Sequence, residues 1–209
     1  MRFGPSAGGA RQAMLALTSN DVALPLESAL RGAGQGLSGA AAPRRACHGR
    51  TATLAGTDRA DVLLGTTGAD VIVRGRGNDR ILGGGGADLI CAGSGNDRVA
   101  GGRGNDRLFG GPSRDLLRGA RGDGILLGCP GRDRLAGGRG NDRVSGGPGN
   151  DLLNGGSGSD RITGGSGNDR ILAGDRRRDV VDCGPGRDSV KADRFDRLRR
   201  CERVVRLGG

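Results

Sequence analysis

One aliphatic side chain recurs every nine residues over most of the chain. Read in blocks from Gly56, thirteen blocks run without a gap to Leu172, and two more follow the extra residue Ala173 and end at Lys191. Positions one to six predict a glycine-rich turn, and positions seven to nine predict a short strand whose middle side chain alone points inward. Position eight is aliphatic in all fifteen blocks: Leu63, Ile72, Ile81, Ile90, Val99, Leu108, Leu117, Leu126, Leu135, Val144, Leu153, Ile162, Ile171, Val181 and Val190.

This period predicts an all-β fold. Each block forms half a coil, two blocks form a coil of 18 residues, and the coils stack into a parallel solenoid of about fifteen half-coils with short irregular flanks. The composition alone leaves a disordered, RNA-binding Gly/Arg chain open, since 46 glycines and seven prolines make up about a quarter of the residues. A disordered chain does not explain an aliphatic residue at position eight of every block. No apolar run is long enough for a transmembrane helix.

Aspartate occupies position six in fourteen blocks, and Gly124 is the exception. Residues 18 apart fall on the same edge of adjacent coils, where like charges about 4.8 Å apart repel unless cations lie between them. Carboxylate and carbonyl oxygens favour Ca²⁺. Two alternatives are that these aspartates only form turns, or that the arginine following Asp in seven blocks neutralises them: Arg80, Arg98, Arg107, Arg134, Arg143, Arg161 and Arg170.

The unit G-G-x-G-x-D-x-(aliphatic)-x, seen at Gly101–Phe109 and Gly164–Leu172, resembles the haemolysin-type calcium-binding repeat of RTX proteins. The resemblance covers residues 56–191. It implies a right-handed parallel β-roll in which several Ca²⁺ ions lie between turns of neighbouring coils, held by aspartates and turn carbonyls. The metal ligands that it implies here are Asp61, Asp70, Asp79, Asp88, Asp97, Asp106, Asp115, Asp133, Asp142, Asp151, Asp160 and Asp169.

Some blocks depart from the repeat. Arg59, Ser113 and Arg177 replace the glycine of position four, and Gly124 removes a carboxylate from two neighbouring sites, while Asp123 stands one residue early. We expect the chain to be largely unfolded without Ca²⁺ and to fold when it binds, because binding and folding then share one free energy.

The flanks lack the period. Residues 1–50 are predicted to be a low-complexity leader, flexible or weakly helical and a poor signal peptide, followed by a calcium-binding roll over 51–191. Residues 192–209 are predicted to cap the open end with Phe195, Leu198, Val204 and Val205.

Five cysteines leave one unpaired. Cys183 with Cys201, and Cys47 with Cys91, would staple the two ends of the roll, leaving Cys129 free; the alternative is five reduced thiols. Disulfides and weak calcium sites both suit an extracellular compartment.

These features predict a non-enzymatic, secreted or cell-surface calcium-binding protein with a structural or adhesive role, expected to be a monomer. The single histidine, His48, is poor support for catalysis. The alternative is a binder of anionic polymers such as cell-wall polysaccharide, because the net charge is +10 and the position-seven arginines align on both faces. Specific nucleic-acid recognition is not expected in a chain without Tyr or Trp.

Overall fold

The structure is a computed structural model that describes residues 46–207, so the predictions for the leader before residue 46 lie outside the described residues. Every regular element in this range is a β-strand. The described part therefore contains no helix that is long and apolar enough to cross a membrane. Strands β1 (Ala46–Cys47) and β2 (Arg50–Thr51) form a small antiparallel pair.

All other strands belong to two parallel sheets of nine strands each. Sheet 1 contains β4 (Val62–Leu64), β6 (Arg80–Gly85), β8 (Arg98–Arg103), β10 (Leu116–Arg121), β12 (Arg134–Arg139), β14 (Leu152–Ser157), β16 (Arg170–Leu172), β18 (Ser189–Ala192) and β20 (Arg203–Arg206). Sheet 2 contains β3 (Leu54–Ala55), β5 (Val71–Val73), β7 (Leu89–Cys91), β9 (Arg107–Phe109), β11 (Ile125–Leu127), β13 (Arg143–Pro148), β15 (Arg161–Ser166), β17 (Val180–Asp182) and β19 (Arg197–Arg199).

Successive strands alternate between the two sheets, so each nonapeptide supplies one strand and each pair of nonapeptides completes one coil. The register shows the 18-residue coil directly, since Leu117 pairs with Val99 on one side and with Leu135 on the other. The predicted all-β solenoid of stacked parallel half-coils is confirmed, and its architecture is that of a β-roll.

The core is the double column of position-eight side chains. From Ile72 to Val190 each of them is at most 4 % exposed, and Leu54, Leu63 and Leu198 pack on the column near its two ends. The position-eight side chain of each strand faces inward, and its two neighbours point to the opposite face, because successive strand residues alternate in direction. Burying one such side chain contributes roughly 1.5–3 kcal/mol.

Many strands are longer than the sequence pattern predicts. Strands such as β8 and β12 run for six residues, from position seven of one block to position three of the next. Positions one to three therefore join the sheet, whereas the pattern assigned them to the turn. Gly102 shows why position two can do so: it has φ of 115°, and an added Cβ would lie 2.1 Å from the carbonyl oxygen of Gly84 in the preceding coil.

Three residues keep a left-handed backbone at glycine positions without being glycine. They are Ser113 at φ 101°, Ala120 at φ 83° and Cys129 at φ 75°. L-residues rarely adopt this region, and each costs roughly 1–2 kcal/mol there. The stacking of the coils thus imposes the turn geometry even where the side chain opposes it.

The extra residue does not lie at Ala173. Ala173 is buried in the core and its amide donates to the carbonyl of Lys191, as expected for a regular position one. Asp160, however, pairs with Asp179 across 19 residues. The insertion is therefore in the turn between Ala173 and Asp179.

Both sheets continue past Lys191, where the nine-residue period ends. Strand β19 pairs with β17, and β20 pairs with β18, both in parallel register. Leu198 packs on the core, whereas Phe195, Val204 and Val205 remain 43–49 % exposed. The tail extends the solenoid by a further coil as well as covering its core.

Two disulfides close the ends, as the sequence predicts. Cys47–Cys91 joins β1 to β7 with a Cα–Cα distance of 5.9 Å, and Cys183–Cys201 joins the last regular block to the tail with a Cα–Cα distance of 5.2 Å. Cys129 is a half-buried free thiol.

Candidate metal centre

The position-six aspartates stand at the last turn residue before each strand and form two ladders, one along each edge of the roll. The ladder before sheet 1 contains Asp61, Asp79, Asp97, Asp115, Asp133, Asp151, Asp169 and Asp188. The ladder before sheet 2 contains Asp70, Asp88, Asp106, Asp142, Asp160 and Asp179, with Gly124 in the gap. From Asp79 onwards every one of these carboxylates is at most 2 % exposed.

One oxygen of each carboxylate is used by the fold itself. Oδ1 of Asp97 accepts a hydrogen bond from the backbone N–H of Asp79 at 2.7 Å, and Oδ1 of Asp115 accepts from the N–H of Asp97 at 2.8 Å. The same bond recurs between coils along both ladders. The aspartates therefore do form turn hydrogen bonds, but these bonds use only half of each carboxylate.

The second oxygen has no hydrogen-bond partner. Within the described residues, buried and unpaired Oδ2 atoms belong to Asp79, Asp88, Asp97, Asp106, Asp115, Asp133, Asp142, Asp151, Asp160, Asp169, Asp179 and Asp188. An unpaired buried polar atom costs about 1–3 kcal/mol, and more when it carries charge. One continuous row of such atoms and a second row interrupted at Gly124 require a partner that residues 46–207 do not supply.

Position-one glycines keep the space beside these oxygens open. A Cβ added to Gly101 would lie 2.2 Å from Oδ2 of Asp106, and one added to Gly155 would lie 2.3 Å from Oδ2 of Asp160. A side chain at these two glycines would occupy the space beside the carboxylate. The glycine of the repeat therefore has a function at the carboxylate as well as in the turn.

Burial also changes the acidity of the ladders. Desolvation raises the pKa of Asp97, Asp106, Asp133, Asp142, Asp151 and Asp169 to about 6. It raises the pKa of Asp179 to about 7 and that of Asp115 to about 8. Near neutral pH these groups need a proton or a cation close to Oδ2.

The family comparison agrees with this geometry. The model of the RTX calcium-binding nonapeptide repeat matches residues 55–90, 75–99, 92–126, 130–162 and 145–175, which together cover more than half of the chain. The chain belongs to the RTX repeat family. No curated protein matched the sequence as a relative.

RTX repeats bind calcium, and the residues present fit that ion. The donors on offer are buried carboxylate oxygens, with backbone carbonyls in the adjoining turns, and hard oxygen donors suit Ca²⁺. The position-seven arginines do not neutralise the ladders: they are exposed, and none of them pairs with a position-six carboxylate in residues 46–207. The exception inside the roll is Arg74, which contacts Asp61 and Asp79.

Two of the predicted ligands differ from the rest of the RTX ladders. Oδ2 of Asp61 accepts from the N–H and the hydroxyl of Thr57, at 2.8 and 2.7 Å. Oδ2 of Asp70 accepts the same two bonds from Thr66, at 2.7 and 2.9 Å. The chain itself therefore provides partners for the Oδ2 atoms of Asp61 and Asp70. In the other ten predicted ligands the Oδ2 atom is unpaired.

Gly124 interrupts the second ladder. Its N–H still donates to Oδ1 of Asp142, but no carboxylate of its coil accepts the N–H of Asp106. Asp123 does not compensate, because its side chain accepts from the N–H of Asn141 in an outer, exposed ladder of position-five residues. That outer ladder includes Asn78, Asn96 and Asn105.

Sequence reasoning did not assign Asp179 and Asp188 as ligands, although both have the same buried, unpaired Oδ2. Their place at position six was sufficient to find them. It also did not find the acceptors that end the ladders: Asp196 accepts the N–H of Asp179, and Glu202 accepts the N–H of Asp188. These two lie outside the nine-residue period.

A second cluster of possible ligands lies at the N-terminal end of the described residues. Cys47, His48 and Cys91 bring one ligand atom each within 4.8 Å of one another. Both sulfurs are in the disulfide, and His48 is an exposed residue whose ring lies 4.1 Å from that of Phe109. His48 therefore packs on an aromatic ring.

Proposed function

We propose that the protein is a non-enzymatic, extracellular calcium-binding module with a structural or adhesive role, whose roll folds when calcium fills the two carboxylate ladders. The row of buried, unpaired Oδ2 atoms from Asp79 to Asp188 carries this proposal. Calcium would be held by position-six carboxylates of neighbouring coils together with turn carbonyls, and it would supply the positive charge that stabilises them. An extracellular location is supported by the two disulfides, which persist in oxidising compartments.

Calcium titration followed by calorimetry and circular dichroism tests the proposal. The metal-free protein with intact disulfides is expected to show little β signal, and calcium is expected to restore it together with heat of binding from several ions. Magnesium at the same concentrations is the control, because it requires a stricter octahedral shell. A full β signal in excess chelator, with no heat on adding calcium, would contradict the proposal.

A second candidate function is binding of an anionic polymer. One groove of about 240 Å³ beside sheet 1 is lined by four arginines, Arg114, Arg132, Arg134 and Arg170, together with Asn150, Asn168, Leu152 and the ladder residues Asp133 and Asp151. Guanidinium groups suit carboxylate, sulfate and phosphate groups. Arg114 and Arg132 stand on adjacent coils, about one strand spacing of 4.8 Å apart, whereas Arg134 and Arg170 are separated by the coil that carries Leu152. Calcium in the ladder below would increase the positive potential of the groove.

Heparin chromatography in calcium, with a salt gradient, tests this second candidate. The double variant Arg132→Ala/Arg134→Ala is expected to elute at lower salt than the wild type. Arg107→Ala/Arg143→Ala removes the same charge from sheet 2 and is expected to shift much less. Equal shifts for the two pairs would mean that net charge alone, and no groove, determines binding.

A further inference from the structure

Arg74 is the one arginine inside the roll among the described residues. It stands at position one, which is otherwise Gly, Ala or Cys, and its side chain has no solvent exposure. Its Nη1 lies 2.7 Å from Oδ2 of Asp61, and its Nη2 lies 3.3 Å from Oδ1 of Asp79. The guanidinium therefore bridges two successive position-six carboxylates of the same ladder.

The guanidinium fills the space that the other coils leave open. A Cβ added to Gly56 would lie 1.7 Å from Nη1 of Arg74, whereas at Gly101 the added Cβ would meet the unpaired Oδ2 of Asp106. In the first coil, then, the space beside the position-one glycine already holds a cation. Elsewhere the same space borders a carboxylate oxygen without a partner.

The other edge at this end is also complete without a metal. Both oxygens of Asp70 accept hydrogen bonds, Oδ2 from Thr66 and Oδ1 from the hydroxyl of Thr53 at 3.2 Å. The Cys47–Cys91 disulfide ties the same coils together. On both edges of the first coil, the chain itself therefore supplies the partners of the carboxylates. The disulfide adds a covalent link between the same coils.

We propose that Arg74 is a tethered cation that takes the calcium position between Asp61 and Asp79, so that residues 54–91 form a calcium-independent start to the roll. The inference rests on the proposed filling of the remaining ladder by calcium. It assigns the coils that follow residue 91 to calcium-dependent folding, templated by the preformed edge.

The variant Arg74→Gly restores the residue of the repeat and opens the space. By calorimetry it is expected to bind one more Ca²⁺ per chain than the wild type, because the substitution vacates one position between two carboxylates. Arg76→Gly is the matched control, because it makes the same substitution at an exposed residue of the same turn. The control is expected to bind as many ions as the wild type.

Hydrogen exchange on the wild type gives a second readout that needs no variant. In excess chelator, amides of residues 54–91 are expected to stay protected while those of residues 95–190 exchange freely. In Arg74→Gly the first region is expected to lose protection in chelator and to regain it in calcium.

The outcomes separate the two proposals. A wild type that binds no calcium contradicts the proposed function. A wild type that binds calcium, with an Arg74→Gly variant that folds in calcium but binds no additional ion, overturns the assignment of Arg74. If Arg74→Gly does not fold, the wild type decides: equal exchange over residues 54–91 and 95–190 in chelator overturns the assignment, and selective protection of 54–91 supports it.

Discussion

The first coils and the middle coils of the roll share the two parallel sheets and the aliphatic column but differ in how their aspartate carboxylates are paired. At the start, Thr57, Thr66 and Arg74 satisfy the carboxylates of Asp61 and Asp70. In the middle, the same carboxylate position has one paired and one unpaired oxygen in every coil that carries it. Within residues 46–207 the chain itself pairs the Oδ2 atoms of Asp61 and Asp70 in the first coils and leaves those of the later coils without a partner.

The largest expected difference between the two regions is in how the folding of the metal-free coils depends on pH. In the middle coils burial raises the pKa of Asp97, Asp106 and Asp151 to about 6 and that of Asp115 to about 8, above the usual value near 4. The folded metal-free roll then binds more protons than the unfolded chain, so its stability is greatest at low pH and is lost as pH rises through 6 to 8. Metal-free protein should therefore gain β signal as pH falls from about 8 towards 4.5.

Protons compete with calcium for the same oxygens, so calcium affinity should weaken over the same interval. Circular dichroism of dialysed protein, at constant and moderate ionic strength, measures the first effect, and calorimetry measures the second. A metal-free β signal that falls steadily with acidification would show that the buried carboxylates do not control the fold.

A single middle carboxylate should matter more than an exposed one of the same type. Asp151→Asn keeps the acceptor for the N–H of Asp133 but replaces the unpaired oxygen by an amide group. In saturating calcium, the free energy of unfolding should fall by roughly 3 kcal/mol, because a buried charge-assisted interaction is lost.

Asp123→Asn is the matched control, since Asp123 belongs to the exposed outer ladder. It should change the free energy by less than about 0.5 kcal/mol. Urea unfolding at fixed calcium compares the two variants, and equal losses would mean that the inner ladder has no special role.

A substitution at Gly124 can restore the missing carboxylate of the second ladder in the middle of the roll. Gly124 has no left-handed φ, and an added Cβ would lie 3.1 Å from Oδ1 of Asp142, so a side chain fits with a small local shift. Gly124→Asp should restore the acceptor for the N–H of Asp106 and raise the number of bound calcium ions. Gly124→Asn, which adds the acceptor without the charge, should leave the number unchanged. Calorimetric stoichiometry distinguishes them, and an unchanged count in Gly124→Asp would contradict the ladder.

The smallest effect is expected at a turn that already departs from the repeat. Ser113→Gly removes a side chain from a residue at φ 101° and should stabilise the calcium-bound roll by about 1 kcal/mol. Ser94→Gly, in a turn position without a positive φ, should give no gain. Thermal unfolding of both variants in calcium checks the difference, and a destabilised Ser113→Gly would show that its side chain has a contact that matters.

The regular part of this molecule was largely predictable because one period determines the core, the register and the ladders together. The aliphatic residues from Ile72 to Val190 followed from the nine-residue spacing, and the two disulfides were suggested by cysteines near the two ends of the repeat. Thr57, Thr66 and Arg74 did not, because their importance depends on which oxygen they reach, and a sequence shows only that Arg74 interrupts a glycine column. Strands β19 and β20 were missed for a related reason: parallel pairing with the last coil needs no nine-residue turn.

The hydrogen bonds of the two inner ladders all point the same way, since the N–H of each position-six aspartate other than Asp106 donates to the acceptor of the coil that follows it. The position-six N–H of a coil therefore finds its acceptor only in the next coil, so the inner ladders have a direction. The last position-six N–H of each ladder is satisfied only where the chain offers an acceptor outside the regular coils. Asp196 and Glu202 do this for the two edges. The number of coils is therefore set by where these two acceptors stand in the sequence, and adding or removing whole nonapeptide pairs ahead of them should lengthen or shorten the roll without changing how it ends.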